Sequence, residues 1–230
     1  RKGRKECRTK RSYAEQAGHT RRLRLGLGQM RRCLHAEYGK PSSLNRFGQT
    51  AREAGDAARE DIAACLNCRK DEVFITSGGS EADNQAIFSS VRRGNFVTTA
   101  GEHAAVYQSA KELERRGIEV RYARLHADGS ADAEDLLRLV DEHTSLVSVI
   151  HVNNETGAVN DVASLAAAVK RKFPRALFHS DGVQAFGKIS FRLTNDIDFY
   201  TVSAHKIGGV RGVGGLFYRK GAPPILCALT

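Results

Sequence analysis

The chain has 230 residues, 41% hydrophobic and 27% charged, with 22 Gly, 4 Pro and 5 Cys. That length can bury one large core, and its Gly and Pro content excludes collagen-like and low-complexity chains. No apolar run approaches the ~20 residues that cross a bilayer, and so few cysteines are no disulfide framework, so a cytoplasmic, reducing compartment is expected.

The formal net charge of +10 sits at one end. Residues 1–32 hold twelve Lys or Arg against Glu6 and Glu15, while the rest of the chain balances. Apolar residues in 1–32 are sparse, so this segment reads as a basic, disordered leader outside the fold. A nucleic-acid arm and an Arg-rich transit peptide are the other readings of it. The remainder shows no electrostatic footprint for nucleic acid.

From residue 33 the texture becomes that of a folded domain. Residues 46–66 place Phe47, Ala51, Ala54, Ala58, Ile62 and Leu66 at helical spacing. A short β-rich run, 73–76, ends in Ser77-Gly78-Gly79, and a helix follows over 80–92. Strands are expected at 96–99, 118–122, 146–150, 177–180, 197–202 and 214–218. Helices are expected at 103–116, closed by Gly117, at 132–142, capped by Asp132, and at 161–172, ending before Pro174. Short strands alternating with helices of 10–15 residues specify an α/β fold, a mostly parallel sheet sandwiched by helices. In such sheets ligands bind beyond the carboxyl ends of the strands.

Those ends carry a coherent set of groups. The turn Ser77-Gly78-Gly79-Ser80 opens a helix, an arrangement suited to a phosphate. Later strand ends deliver His103, the run His151-Val152-Asn153-Asn154, Asp181 with Gln184, and Ser203-Ala204-His205-Lys206. Each has an ordinary structural role available; their coincidence on one edge favours chemistry. A lysine can form a Schiff base with a cofactor aldehyde. A carboxylate can keep a pyridine nitrogen protonated. A histidine can stack on the ring, and Asn and Gln can bond its phenolic oxygen. Together these describe a pyridoxal 5′-phosphate (PLP) site. No metal site is expected, because Cys65-x-x-Cys68 has no second ligand pair nearby and reads as buried or half-buried helix thiols.

The stretches TSGGSEADN (76–84), EHAAV (102–106), LVSVIHVNNETG (146–157), FHSDGVQAFGK (178–188) and DFYTVSAHKIGGVRGVGGLFYRKG (198–221) resemble the NifS-like cysteine desulfurases of the class V aminotransferase family. YGKPSSLNRFGQTAREA (38–54) resembles their early helix region. The resemblance implies a fold-type I PLP-binding large domain over 33–230. It assigns Lys206 as the Schiff-base lysine, Asp181 to the pyridinium nitrogen and His103 to ring stacking and proton transfer. Asn154 and Gln184 would meet the phenolic oxygen side, and Gly79, Ser80, Ser203 and His205 the phosphate. The implied reaction converts L-cysteine to L-alanine and an enzyme persulfide for iron–sulfur cluster assembly or tRNA thiolation. The implied partners are a second subunit in a homodimer and a sulfur-acceptor or scaffold protein.

Two departures accompany the resemblance. The segment before Tyr38 does not match the family's opening, and no counterpart of the small C-terminal domain follows Lys206, so the chain is expected to be incomplete at both ends. None of the five cysteines falls at the persulfide position. Other class V chemistry, such as a selenocysteine lyase or an aminotransferase, remains an alternative, as does a catalytically inactive remnant.

Overall fold

The computed structural model describes residues 24–36 and 39–222. It contains a seven-stranded sheet in the order β1-β7-β6-β5-β4-β2-β3. The strands are β1 (Val73–Thr76), β2 (Asn95–Thr99), β3 (Glu119–Ala123), β4 (Thr144–Ser148), β5 (Leu177–Asp181), β6 (Phe199–Ser203) and β7 (Gly214–Tyr218). The helices are α1 (Arg24–Ala36), α2 (Arg46–Leu66), α3 (Gly79–Ser90), α4 (Ala104–Arg115), α5 (Ala133–Leu139) and α6 (Val162–Lys172).

Strict alternation along the strands builds two cores. Phe96, Leu146, Phe199 and Leu216 point to one face, where Ala82, Ala86 and Ile87 of α3 and Val106, Ala110 and Leu113 of α4 cover them. Their chain neighbours Val97, Val147, Tyr200 and Phe217 point to the other face, against Leu66 of α2, Leu136 of α5 and Val162, Leu165, Ala166 and Val169 of α6. Both faces are covered, as the near-continuous apolar strands require.

The departure from parallel pairing is β7, which runs antiparallel to both β1 and β6. Segment 204–213 holds only a 3-10 turn, Ala204–Lys206, before the chain re-enters the sheet. A parallel return needs a crossover of a dozen or more residues, usually a helix, so the chain doubles back instead. Ser203 pairs with Gly214 at the closed end of this hairpin. On its other side Gly214 pairs with Thr76, the last residue of β1. A Cβ on Gly214 would stand 2.6 Å from the carbonyl carbon of Gly78, so the two turns approach to a distance only glycine permits.

Other expectations change. Of the basic segment, residues 1–23 lie outside the described residues, whereas 24–32 fall within α1 rather than in a structureless leader. The spacing of Leu27, Met30 and Leu34 is helical, a pattern the run of arginines obscures. Of the proposed face of α2 only Leu66 is buried, with Ile62 half-buried against the core, while Phe47 is 53% exposed. A helix of 21 residues spans about 32 Å, and only its last turns meet the core. Cys65 is exposed and Cys68 half-buried, and burial pushes the Cys68 thiol up to about 11.

Gly182, between Asp181 and the next turn, lies against the Tyr200 ring; a Cβ there would sit 2.0 Å from Tyr200 Cζ. Gly182→Ala should therefore lower stability by about 2 kcal/mol through forced repacking of a full core, read as a lower urea midpoint.

Candidate active site

A cavity of about 310 Å³ opens at the carboxyl ends of the parallel strands. Its walls come from five chain segments. Gly79, Ser80 and Asp83 belong to α3, and His103 caps α4. Ile150 and Asn154 follow β4. Asp181, Val183 and Gln184 end and follow β5, and Ser203, His205 and Lys206 end and follow β6. All nine residues singled out from the sequence line this one space. Asp83, Ile150 and Val183 are additions. Asp83 was legible in principle, since it lies four residues after Gly79 on the same helix and so shares its face.

The first intrahelical bond of α3 runs from the Ala82 amide to the Gly78 carbonyl. The preceding amides stay outside the helical ladder, at the positive end of the macrodipole. Glu81 stays out of the cavity by turning back: its carboxylate accepts from the Ser77 amide at 2.7 Å and from the Ser77 hydroxyl at 2.5 Å. These bonds, hydroxyl first, hold the Glu81 carboxyl below its ordinary range. Across the cavity Ser203 Oγ lies 2.8 Å from His205 Nδ1.

The imidazole of His103 is fixed by its position as a cap. Its Nδ1 accepts from the Ala105 amide at 3.1 Å, which leaves the proton of the neutral ring on Nε2. The two asparagines after β4 divide their duties. Asn153 donates to the Gly101 carbonyl at 2.7 Å and accepts from the Glu155 and Thr156 amides, both at 2.8 Å. With its neighbour spent on holding the loop, Asn154 lines the cavity. Gln184 does the same, and its Oε1 accepts from Lys188 Nζ at 2.6 Å.

Two carboxyls are buried at the floor, and the carboxyl oxygens of a third, Glu102, lie behind the lining. Asp83 and Asp181 are 1% and 3% exposed. Glu102 accepts through Oε1 from the Thr99 hydroxyl at 2.7 Å and the Ile150 amide at 3.0 Å, clamping the ends of β2 and β4 together. Asp83 Oδ1 and Glu102 Oε2 have no hydrogen-bond partner. Burial pushes Asp83 up to about 7 and Glu102 up to about 8. Burial, with the adjoining Asp83, pushes Asp181 up to about 7, against the donation of the Val183 amide at 2.9 Å. Ligating atoms of Asp83, His103 and Asp181 lie within 4.8 Å of one another.

A family described as aminotransferase class-V matches residues 12–226. The chain belongs to that family. The match reaches back into the basic segment set aside from the sequence. Among curated relatives, the cysteine desulfurase IscS of Clostridium botulinum (strain Hall) is 38% identical over 190 residues, covering 80% of this chain and 47% of the relative. The chain thus spans about half the length of the curated relatives it matches. A solved structure titled "NIFS-LIKE PROTEIN" aligns with a TM-score of 0.89 and 35% identity, over 93% of this chain and 60% of that one. Another, titled "SspA in complex with cysteine", aligns with a TM-score of 0.87 and 28% identity, over 94% of this chain and 64% of that one. The expected mostly parallel sheet flanked by helices is the fold of these NifS-like neighbours. Among the described residues no helix is long and apolar enough to cross a membrane.

The buried groups set a pH dependence. The three carboxyls bind protons more tightly folded than unfolded, so each adds a penalty that grows as pH rises toward about 7 to about 8. His151 and His179, which burial lowers to about 4, oppose this only below the ordinary histidine value of ~6.5. Unfolding free energy of the cofactor-free chain should therefore fall between pH ~6.5 and ~8, and Glu102→Gln should flatten that fall. Urea titrations across the interval check both outcomes.

Proposed function

We propose that the cavity binds pyridoxal 5′-phosphate and that the protein to which this sequence belongs is a cysteine desulfurase acting on L-cysteine. The observation that carries this reading is the convergence of a lysine, a partly exposed imidazole, the buried Asp181 carboxyl and a helix N-terminus on one cavity. Its volume lies at the lower end of the roughly 300–1,000 Å³ usual for small-ligand sites. The buried Asp181 carboxyl, whose affinity for protons is raised, fits a cationic ring at the floor. The free amides at the start of α3 fit a phosphate at the rim.

When bound, the cofactor supplies an aromatic electron sink for bonds at the α-carbon of an amino acid. The chain's residues hold and orient it. Gly79 and Ser80, with Ser203 and His205 opposite, would hold the phosphate. Asp181 would pair with the ring nitrogen, and Asn154 and Gln184 with the phenolic oxygen. Lys206 Nζ would supply the amine that attaches the cofactor. His103 would lie on the ring face and hold or deliver a proton at Nε2, the atom its capping bond leaves protonated. Lys206 and His103 are the candidate catalytic residues.

The choice of L-cysteine draws support from the relatives named cysteine desulfurase and from the neighbour whose title reports bound cysteine. On this reading the products are L-alanine and a persulfide sulfur, passed to an acceptor or scaffold protein for iron–sulfur cluster assembly or tRNA thiolation. A homodimer and a cytoplasmic location belong to the same proposal. So does the division into a basic segment, 1–32, and a cofactor-binding domain, 33–230.

The test is direct. After incubation with PLP and gel filtration, the protein should retain a visible absorbance band, and borohydride reduction should add the cofactor's mass to the peptide holding Lys206. Lys206→Ala should lower retained cofactor to background. Retention unaffected by that substitution would overturn the assignment, and sulfide with alanine released from L-cysteine would establish the activity.

A further inference from the structure

Asp83 is the group at the floor that the reading above leaves without a task. It is 1% exposed, it lines the cavity, and its Oδ1 has no hydrogen-bond partner. The sheet places its neighbours. Leu146 and Phe199 point toward α3, so Ser148, Thr201 and Ser203, at period two, point the same way. On β5, Phe178 points to the opposite core, so His179 and Asp181 also face α3. Two carboxyls from different elements, 1% and 3% exposed, are thus brought together.

The other groups there do not neutralise both. His179 is buried, with Nδ1 2.8 Å from Ser148 Oγ and Nε2 3.1 Å from Thr201 Oγ1, and burial keeps it neutral. Its Nε2 lies 3.4 Å from Asp83 Oδ1. Glu102 and His103 from the β2–α4 turn are the other ionisable groups that act on the pair, and His205 and Lys206 from the β6–β7 loop line the same cavity. Two carboxylates so close in a buried site do not both ionise; one proton stays with the pair. The donors decide which carboxyl keeps it. Asp181 accepts the Val183 amide at 2.9 Å, a bond that favours its ionised form. Among the described residues Asp83 receives no backbone amide, and its Oδ1 has no hydrogen-bond partner.

We propose that Asp83 is a positioning residue that remains a neutral carboxylic acid and so leaves Asp181 as the single anion at the cavity floor. Its consequence for a cofactor rests on the PLP reading: one negative charge meets one protonated ring nitrogen, with no second carboxylate to compete for it. The proton arrangement itself is a property of the cofactor-free chain.

The test follows the aspartate carboxyls by ¹³C NMR titration of the full chain without cofactor, then measures PLP affinity by absorbance. In the unsubstituted protein Asp181 should ionise first and Asp83 only above neutrality. Asp83→Asn should remove the upper step and leave the lower one in place. Asp181→Asn should move the Asp83 step down by about one pH unit or more, since the like charge is gone. An Asp83 that ionises before Asp181, or is indifferent to Asp181→Asn, overturns the proposal. In the second arm Asp83→Asn should hold PLP within about threefold of the unsubstituted protein while Asp181→Asn loses tenfold or more. Equal losses in both would show that Asp83 acts as a charge and would also overturn it. Failure of every form to bind PLP would sink the cofactor reading alone, with the titration still deciding the state of Asp83.

Discussion

The reversal of β7 is the constraint on which the cavity depends. Because the chain doubles back after Lys206, Gly214 stands between Ser203 and Thr76, bonded into the sheet on both sides. That insertion brings the loop with Ser203, His205 and Lys206 beside the glycine turn that opens α3. A side chain at Gly214 would press on Gly78 and separate the two. The glycine turn that opens α3 and the loop that carries Lys206, more than a hundred residues apart in sequence, become neighbours through this one strand. The remaining walls come from parallel strands, whose carboxyl ends fall on one edge without special devices.

Around that frame, polar groups are spent in two layers. The outer layer lines the cavity. The inner layer holds it in place: Glu102 ties β2 to β4, Asn153 pins the loop that carries Asn154, and Ser148 and Thr201 bracket His179. The inner groups are buried, so each must find partners or give up its charge. Most find partners. The unpartnered oxygens of Asp83 and Glu102 are exceptions, and both lie close to the cavity floor.

Much of this was legible in the sequence. The bounds of α2, β1 and β7 follow from helical spacing in 46–66 and from the β-rich runs at 73–76 and 214–218. The nine candidate residues converge because strand ends in an α/β sheet share an edge. What escaped depends on contacts between distant segments. The strand expected over 146–150 lies at Thr144–Ser148; beyond it the Val149 and His151 amides still reach β5, while on the β2 side the Ile150 amide donates to Glu102. The direction of β7 depends on what fills a ten-residue loop, and apolar pattern is blind to direction. Phe47 fits a helical stripe, yet whether a stripe is covered depends on where the sheet stops beneath it. Asp83 reads in sequence as one more polar residue on a helix; only the crossing of α3 over β5 sets it beside Asp181.

The first strand, β1, ends the sheet on the cavity side, and its Phe74 and Ile75 are 39% and 47% exposed. Among the described residues its ladder runs to β7 alone, and the glycine turn that opens α3 hangs directly from its last residue. The margin of the sheet and the rim of the binding site are therefore one piece of backbone. A phosphate gripped at the rim would act as a rivet for the margin, slowing amide hydrogen exchange along β1 well before it altered the interior strands.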